Sequence, residues 1–373
     1  MGAEPIFNSA TWEAVPFHFW SLCFFALGCI VGSFLNVCIY RLPRGLSIVT
    51  PPSHCPHCKC SIPWYFNIPL VTWLALRGRC KNCGAPISPR YFAVELLTGI
   101  AFLACWLKFG NRDFPLPSIL LPLVYAMFIS GLICATFIDF EHFIIPDEIT
   151  LGGIFAGLIV SLFLPQLQST PSNLLGLWRS FLGIIVGAGI VYGILRMGKM
   201  LFGRHRLKLP SASRIIFSEA SLHLPGREIP YDELFYRKSD VVTLRAQTVE
   251  LVDRCYKNAV VRLSPAALEI SGEKLDPETV SCMVCVAAEI VLPREAMGLG
   301  DVKFMGAIGA FIGWPGTIFS LAISSFIGAA VGVSLILMRR REWSSRMPYG
   351  PYIAMATVIW IFSHKTFFSW LMH

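Results

Sequence analysis

Long apolar runs recur along most of the chain and are separated by polar connections. A helix needs about 20 apolar residues to cross the ~30 Å hydrocarbon layer of a bilayer. Runs close to this length lie at roughly 18–40, 117–138 and 316–338. Somewhat shorter runs lie at roughly 92–109, 149–165, 180–201 and 350–371. This pattern predicts a polytopic membrane protein with helical spans.

An eighth apolar run, at roughly 302–313, is too short to cross a bilayer alone. It is followed by Trp314, Pro315 and Gly316, a sequence typical of a tight turn. We therefore count this run as a short or re-entrant span. The predicted fold class is an all-α polytopic membrane protein with about eight spans, which also carries a cysteine-rich loop and a polar insert.

The composition supports this class and excludes others. Hydrophobic residues make up 55% of the chain and charged residues 14%, against about 25% charged residues in an ordinary soluble domain. These fractions exclude a cytosolic enzyme, a disordered chain and a fibrous protein. The net charge of +8 does not require nucleic acid, because cytoplasmic loops of membrane proteins carry excess Lys and Arg. We expect a lipid bilayer as a partner and no nucleic acid.

Basic residues are distributed unevenly among the polar connections. Segment 41–90 contains seven basic residues and no acidic ones, and segment 339–349 contains four arginines. The connections 110–116 and 166–178 contain one basic residue between them, Arg112. Because cytoplasmic loops are the basic ones and eight spans alternate sides, the predicted cytoplasmic connections are 41–90, 139–148, 202–300 and 339–349. The N-terminus is then outside. It lacks the basic residues of a signal peptide, so we expect the first run to remain as a span.

Residues 204–293 form the one long polar stretch of the chain. Segments 218–229 and 264–275 repeat each other at an offset of 46 residues, and each reads as a short strand, a Gly turn and a second strand. We predict a small inserted β-rich domain without catalytic residues. Its Cys282-x2-Cys285 pair lies in an apolar, strand-like run, which favours packing over metal binding.

Four cysteines in segment 41–90 form two Cys-x2-Cys pairs, Cys55 with Cys58 and Cys80 with Cys83. Each pair bends around a tight turn, so that its two thiolates converge on one point. Four thiolates in tetrahedral geometry are a preferred structural site of Zn²⁺. Disulfides are the competing interpretation, but a cytoplasmic loop is in a reducing environment. We therefore predict a structural zinc knuckle with all four cysteines as ligands.

Two aspartates lie at the predicted cytoplasmic edge of the apolar layer. Asp139 ends the run 117–138, and Asp301 opens the short run within Gly298-Leu-Gly-Asp301. Carboxylates at such a position are costly, which makes them candidates for function. A pair of them can activate water, one as the base and the other as a protonated acid. Each also has a structural alternative, since Asp301 could cap a helix and Asp139 could face water at a helix end.

Position alone does not single out Asp139, because Glu141, Asp147 and Glu148 share its loop. The helix dipole predicts different roles for the two aspartates. An anion is favoured at the start of a helix and disfavoured at its end. We therefore expect Asp301 to act as the base and Asp139 to carry the proton.

Several motifs follow one another in an order that is typical of one family. They comprise the two Cys-x2-Cys pairs and the segments 32–43, 88–95, 139–150, 298–303 and 348–351. The chain resembles the bacterial type IV prepilin leader peptidase/N-methyltransferases, which are membrane aspartic proteases with a Gly-x-Gly-Asp motif. The insert 204–293 departs from the typical member.

The resemblance assigns catalysis to Asp139 and Asp301. It implies an endopeptidase of the bacterial inner membrane that removes the basic leader of type IV prepilins, or of type II secretion pseudopilins, at the cytoplasmic face. It also implies methylation of the new N-terminal amine with S-adenosylmethionine. The sequence has no Gly-rich fingerprint for this donor. Glu95 is the candidate donor-binding residue, and pairing with Arg90 or Arg41 is its alternative.

These interpretations divide the chain into four segments. Residues 1–110 carry the first span, the zinc-binding loop and the second span, and are associated with methyl transfer. The peptidase membrane domain consists of 111–203 and 294–373, each with one of the aspartates, and the insert 204–293 separates them. A rival hypothesis is a non-enzymatic transporter or scaffold that uses both aspartates as ion ligands. It predicts acidic groups near the bilayer midplane and two similar halves, which the sequence does not show.

Overall fold

The computed structural model describes residues 17–55, 57–63, 65, 67–110, 117–202, 204–235, 240–293, 298–338 and 347–371. The chain divides into two compact units. A helical unit comprises residues 1–191 and 299–373, and a sheet unit comprises residues 192–298.

Long apolar helices dominate the helical unit, as expected where backbone polar groups must be bonded within their own segment. In chain order the helices are α1 (Phe17–Arg41), α2 (Val71–Ala75), α3 (Pro89–Phe109), α4 (Pro117–His142), α5 (Asp147–Phe163), α6 (Asn173–Phe202), α7 (Tyr231–Leu234) of the sheet unit, α8 (Leu299–Leu337) and α9 (Gly350–Leu371). Five described segments are long and apolar enough to cross a membrane, namely Phe17–Arg44, Pro89–Phe109, Ile119–His142, Asn173–Met200 and Leu299–Leu337. Gly350–Ser363 is a shorter apolar helix. The expected count of about eight spans is therefore matched only in part.

Helix α8 accounts for part of the difference, because it contains a reversal. Gly313 has φ 67° and ψ 176°, which no α-helix contains. A Cβ atom placed on Gly187 would lie 2.5 Å from the carbonyl oxygen of Met305 and 2.9 Å from Cγ2 of Thr317. Twelve residues of straight helix would separate these two positions by about 18 Å. The two arms of α8 therefore lie side by side, and the turn predicted at Trp314 begins one residue earlier.

Side chains from α6 and from the connection that precedes it bond the backbone carbonyls that this reversal releases. Nε2 of Gln168 donates to the carbonyl oxygens of Ala310 (2.9 Å) and Phe311 (3.3 Å). The hydroxyl of Ser180 donates to the same Ala310 oxygen (2.8 Å). Unbonded carbonyls in an apolar layer cost several kcal/mol each, so these contacts stabilise the turn.

The backbones of helices α1 and α3 come into direct contact because small residues line the interface between them. A Cβ atom on Gly32 would lie 2.7 Å from Cα of Glu95, and one on Gly28 would lie 2.8 Å from Cα of Gly99. Nδ2 of Asn36 donates to the carbonyl oxygen of Tyr91 across the same interface (3.0 Å). This pair of helices is a rigid base for the cysteine loop between them.

The sheet unit contains one antiparallel sheet with the order β3-β2-β1-β8-β4-β5-β6-β7. The strands are β1 (Arg204–Phe217), β2 (Ser221–Leu224), β3 (Arg227–Pro230), β4 (Val242–Glu250), β5 (Cys255–Ser264), β6 (Ala267–Ile270), β7 (Glu273–Leu275) and β8 (Met283–Pro293). The predicted inserted β-rich region is therefore present. The all-α description holds only for the helical unit, because alternating apolar residues make this region a sheet.

The sequence repeat corresponds to two equivalent hairpins. Leu222 pairs with Ile229 in the first copy, and Leu268 pairs with Leu275 in the second. The turns place Gly226 and Gly272 at φ 78° and 95°, a region that glycine adopts without strain. Both predicted hairpins are confirmed, and their apolar residues form the core of the sheet unit.

Candidate active site and metal centre

Asp139 lies in the last turn of α4 and is buried, with 6% of its surface exposed. The backbone N–H of Gly350, the first residue of α9, donates to its Oδ2 (2.9 Å). The N-terminus of a helix carries partial positive charge, which stabilises a carboxylate that accepts its N–H groups. This donor opposes the effect of α4, at whose C-terminal end Asp139 lies. The carboxylate is therefore held in one orientation by an element remote in the chain.

Gly350 permits this contact because it has no side chain. A Cβ atom at this position would lie 2.8 Å from Oδ2 of Asp139 and 3.3 Å from Cδ1 of Ile145. The segment Pro348–Pro351 was among the motifs of the resemblance, but its role did not follow from the sequence. A glycine followed by proline at a predicted helix start was the signal available.

Asp301 lies in the first turn of α8 and is half-buried. Its neighbour Gly300 packs against Ile145, since a Cβ atom on Gly300 would lie 3.5 Å from Cβ of Ile145. The side chain of Ile145 also reaches Gly350, which bonds Asp139. Ile145 thus lies beside both the Gly350 segment that bonds Asp139 and the start of α8 that carries Asp301. The structure therefore brings the two aspartates to the same end of the helical unit.

Two ion pairs lie near the two aspartates and engage two of the other acidic residues of the loop 139–148. Nζ of Lys303 contacts Oδ1 (2.6 Å) and Oδ2 (2.8 Å) of Asp147. Arg90 of α3 forms an ion pair with Glu141. Glu141 and Asp147 therefore hold helices together, and Glu148 is exposed. Asp139 is the buried carboxylate of the loop, a distinction that the sequence did not provide.

The four predicted cysteine ligands come together in the structure. The Sγ atoms of Cys55, Cys58, Cys80 and Cys83 all lie within 4.8 Å of one another. Sγ of Cys55 is 3.9 Å from Sγ of Cys83. A tetrahedral site with Zn–S bonds of about 2.3 Å has sulfur–sulfur edges of about 3.8 Å. The cluster therefore has the dimensions and the donor set of a zinc site.

The two cysteine pairs lie on equivalent turns. The N–H of Lys59 donates to the carbonyl of Cys55 (2.9 Å), and the N–H of Gly84 donates to that of Cys80 (2.9 Å). Lys59 and Gly84 both have positive φ, 58° and 70°. The same backbone path thus presents two sulfur atoms on each side of the cluster.

Backbone N–H groups alter the acidity of these thiols. The N–H of Cys60, followed by the side-chain amide of Asn82, lowers the pKa of Cys58 to about 6. The N–H of Ala85 acts in the same direction on Cys83, but desolvation and the other thiols outweigh it and raise the pKa of Cys83 to about 11. A divalent cation bound by these sulfur atoms would displace the remaining thiol protons.

Glu95 is buried in α3 and accepts a hydrogen bond from the N–H of Leu70 (2.7 Å). Ser33 of α1 lies beside this carboxylate, since its neighbour Gly32 packs directly against Glu95. Arg90 binds Glu141, and Arg41 donates to backbone carbonyls, so neither is paired with Glu95 in the described contacts. The alternative pairing considered for Glu95 is therefore not found. Its carboxylate instead tethers the cysteine loop to α3.

Comparison with known proteins identifies two family models in this chain. The bacterial Peptidase A24 N-terminal domain matches residues 26–109, and the type IV leader peptidase family matches residues 126–205 and 259–333. The match to the second family includes Asp139 and Asp301 and omits part of the sheet unit. No solved structure matched the chain.

Curated relatives carry consistent names. A Myxococcus xanthus protein named prepilin leader peptidase/N-methyltransferase is 39% identical over 210 residues, which cover 52% of this chain and 61% of the relative. An Aeromonas hydrophila protein of the same name is 28% identical over 369 residues, which cover 92% of this chain and 90% of the relative. The two family models together match more than half of the residues. This chain belongs to the type IV leader peptidase family.

Proposed function

We propose that this protein is a membrane aspartic endopeptidase that removes the basic leader of prepilins or pseudopilins and then methylates the new N-terminal amine. One observation supports this function best. Asp139 is buried and bonded to the N–H of Gly350, and it lies at the same end of the helical unit as the start of α8, which carries Asp301. The names of the relatives support the substrate class and the second activity.

In this proposal Asp139 and Asp301 share the work of peptide hydrolysis. Oδ2 of Asp139 accepts the N–H of Gly350, so Oδ1 is the oxygen that carries a proton and donates it to the substrate carbonyl. Asp301, at the start of a helix, takes a proton from water as the water oxygen attacks the carbonyl carbon. The carbon–nitrogen bond then breaks, and the leaving amine receives a proton from the pair. The two carboxyls titrate together, so the roles describe one protonation state of the pair.

Both aspartates lie at helix ends, since Asp139 ends α4 and Asp301 begins α8. This placement suits a site at the membrane surface, and it does not favour ion ligands at the midplane as a transporter would have. Basic residues in segment 41–90 support a cytoplasmic location for this end. We infer a protein of the bacterial inner membrane whose active site faces the cytoplasm, where a basic leader is retained.

Zinc fits the four-cysteine cluster in a structural role. Four protein ligands complete a tetrahedral shell and leave no position open for a substrate. Zinc would close the loop between α1 and α3, which has few buried side chains of its own. S-adenosylmethionine, when bound, supplies an electrophilic methyl group to the amine that cleavage releases.

The test is cleavage of a purified prepilin by the purified protein in detergent, followed by mass spectrometry of the product. Asp139→Asn and Asp301→Asn should each lower the cleavage rate at least about a hundredfold, because an amide can neither accept nor supply the proton. Glu148→Gln is the matched control, since this carboxylate is exposed in the same loop, and it should cleave normally. Substantial cleavage by the Asp301→Asn protein would refute the mechanism.

A further inference from the structure

A groove of about 330 Å³ lies between α1 and the loop that follows it. One face of α1 forms its floor with Ser33, Val37 and Arg41, and Pro51 and Pro69 belong to the opposite wall. This volume is at the lower end of the range for ligand pockets. The walls are mostly aliphatic and proline side chains, so the groove suits a small apolar group.

The buried carboxyl group of Glu95 lies behind this groove. Ser33 lines the groove and lies beside Glu95. Leu70, which follows the wall residue Pro69, donates its N–H to the same carboxylate. One groove residue, Ser33, and the chain neighbour of another, Pro69, therefore both adjoin Glu95. A cationic group entering there would find a carboxylate one hydroxyl away.

The opposite end of the groove carries a positive charge that is already engaged. Nη1 and Nη2 of Arg41 donate to the carbonyl oxygens of Ser47 (2.9 Å) and Pro51 (2.6 Å). Ser33 and Arg41 are eight residues apart, which corresponds to about 12 Å along the helix. The charges thus orient a ligand with its cation toward Ser33 and its neutral part along Val37.

We propose that this groove holds the methyl acceptor, an inference that rests on the proposed methyltransferase activity. The new N-terminal amine of the cleaved substrate would lie at Ser33, close to Glu95. Its apolar first side chain would lie along Val37 and the proline wall. A methyl donor with a sugar, a base and a zwitterionic chain would need many more polar partners than these walls offer. An apolar residue with a free amine needs one anionic partner and an apolar surface.

Peptide binding tests this assignment directly. A short peptide that begins with Phe and has a free amine carries a fluorescent label at its C-terminus, and its N-acetylated form is the comparison. Fluorescence anisotropy with the full-length protein in detergent should show about tenfold tighter binding of the free amine, as for a charge-assisted hydrogen bond. A third peptide that begins with Asp should bind more weakly than the Phe peptide.

Two variants separate the amine contact from the apolar contact. Glu95→Gln keeps an oxygen for the N–H of Leu70 but removes the charge, so the preference for the free amine should disappear. Val37→Trp fills the groove and should abolish binding of every peptide. Leu22→Trp is the matched control, because Leu22 lies on the same helix outside the groove and is 66% exposed. Bound zinc reports folding, and Ser33→Ala replaces Glu95→Gln if that variant does not fold.

The outcomes distinguish this inference from the proposed function. Equal binding of free and acetylated peptides by a wild-type protein that cleaves and methylates prepilin would overturn the groove assignment alone. Loss of radiolabelled S-adenosylhomocysteine binding in Val37→Trp, with peptide binding retained, would assign the groove to the donor and overturn it as well. A wild-type protein that cleaves prepilin but never methylates it would instead refute the proposed second activity.

Discussion

Replacing Gly350 by Ala places a methyl group at the closest contact of Asp139. The new Cβ atom would lie 2.8 Å from Oδ2 of Asp139, whereas ordinary van der Waals contacts to a Cβ atom are 3.4–4 Å. Cδ1 of Ile145 would also be close to it, at 3.3 Å. The start of α9 or the carboxylate must therefore move, and the hydrogen bond from the Gly350 N–H is lost.

The size of the effect follows from this hydrogen bond. A hydrogen bond to a charged group contributes about 1.5–3 kcal/mol. If that energy is lost from the transition state, kcat falls about ten- to hundredfold. The assay is the initial rate of prepilin cleavage over a range of substrate concentrations. We expect KM to change less than kcat, because Gly350 acts on Asp139 and not on the leader.

Gly131→Ala is the matched control for this experiment. Gly131 lies on the same helix as Asp139, and a Cβ atom placed there meets no other atom within 4 Å. This variant should cleave prepilin at the wild-type rate, and both variants should retain zinc. If Gly350→Ala also cleaves at the wild-type rate, the N–H of Gly350 does not position the catalytic carboxyl, and the reasoning is refuted.

The remaining predictions concern the cysteine cluster and the sheet unit. Replacing Cys55 or Cys80 by Ser should lower the zinc content measured by elemental analysis. It should weaken methylation more than cleavage, because the aspartates lie on other helices. Unchanged zinc content would contradict the proposed zinc site. Replacing 204–293 by a flexible linker should leave cleavage measurable, because Arg204 and Pro293 are paired neighbours on adjacent strands and a short linker spans them. Normal membrane insertion without cleavage in every such deletion would show that the sheet unit belongs to the substrate site.

Features that depend on local chemistry could be predicted from the sequence. Each Cys-x2-Cys pair brings its own two sulfur atoms together because the turn needs only its own backbone, as the bonds of Lys59 and Gly84 show. The hairpins of the sheet unit were predictable for the same reason, since the glycine turns at Gly226 and Gly272 determine them.

Contacts between distant segments could not be predicted in this way. The bond from Gly350 to Asp139 joins residues 211 positions apart, and no local pattern indicates it. Ile145 lies beside the segments that hold Asp139 and Asp301 only because helices α4, α5, α8 and α9 pack together. The bond between Glu95 and Leu70 required the path of the cysteine loop. The reversal of α8 was placed one residue late, because the positive φ of Gly313 governs it and Pro315 only follows.

The first arm of α8, from Leu299 to Gly313, is short, and its length bears on how water reaches Asp301. From Leu299 to Gly313 a helix extends for only about 21 Å, against a hydrocarbon layer of ~30 Å. Because the contacts of Gln168 hold the far end of this arm, its length cannot change to suit the bilayer. The turn at Gly313 need not reach the far lipid surface, because its carbonyls are bonded within the protein, so the position of this turn sets the depth of the Asp301 end. We therefore expect hydration at Asp301 to depend on the local depth of the lipid, and the rate of proteolysis to vary with bilayer thickness.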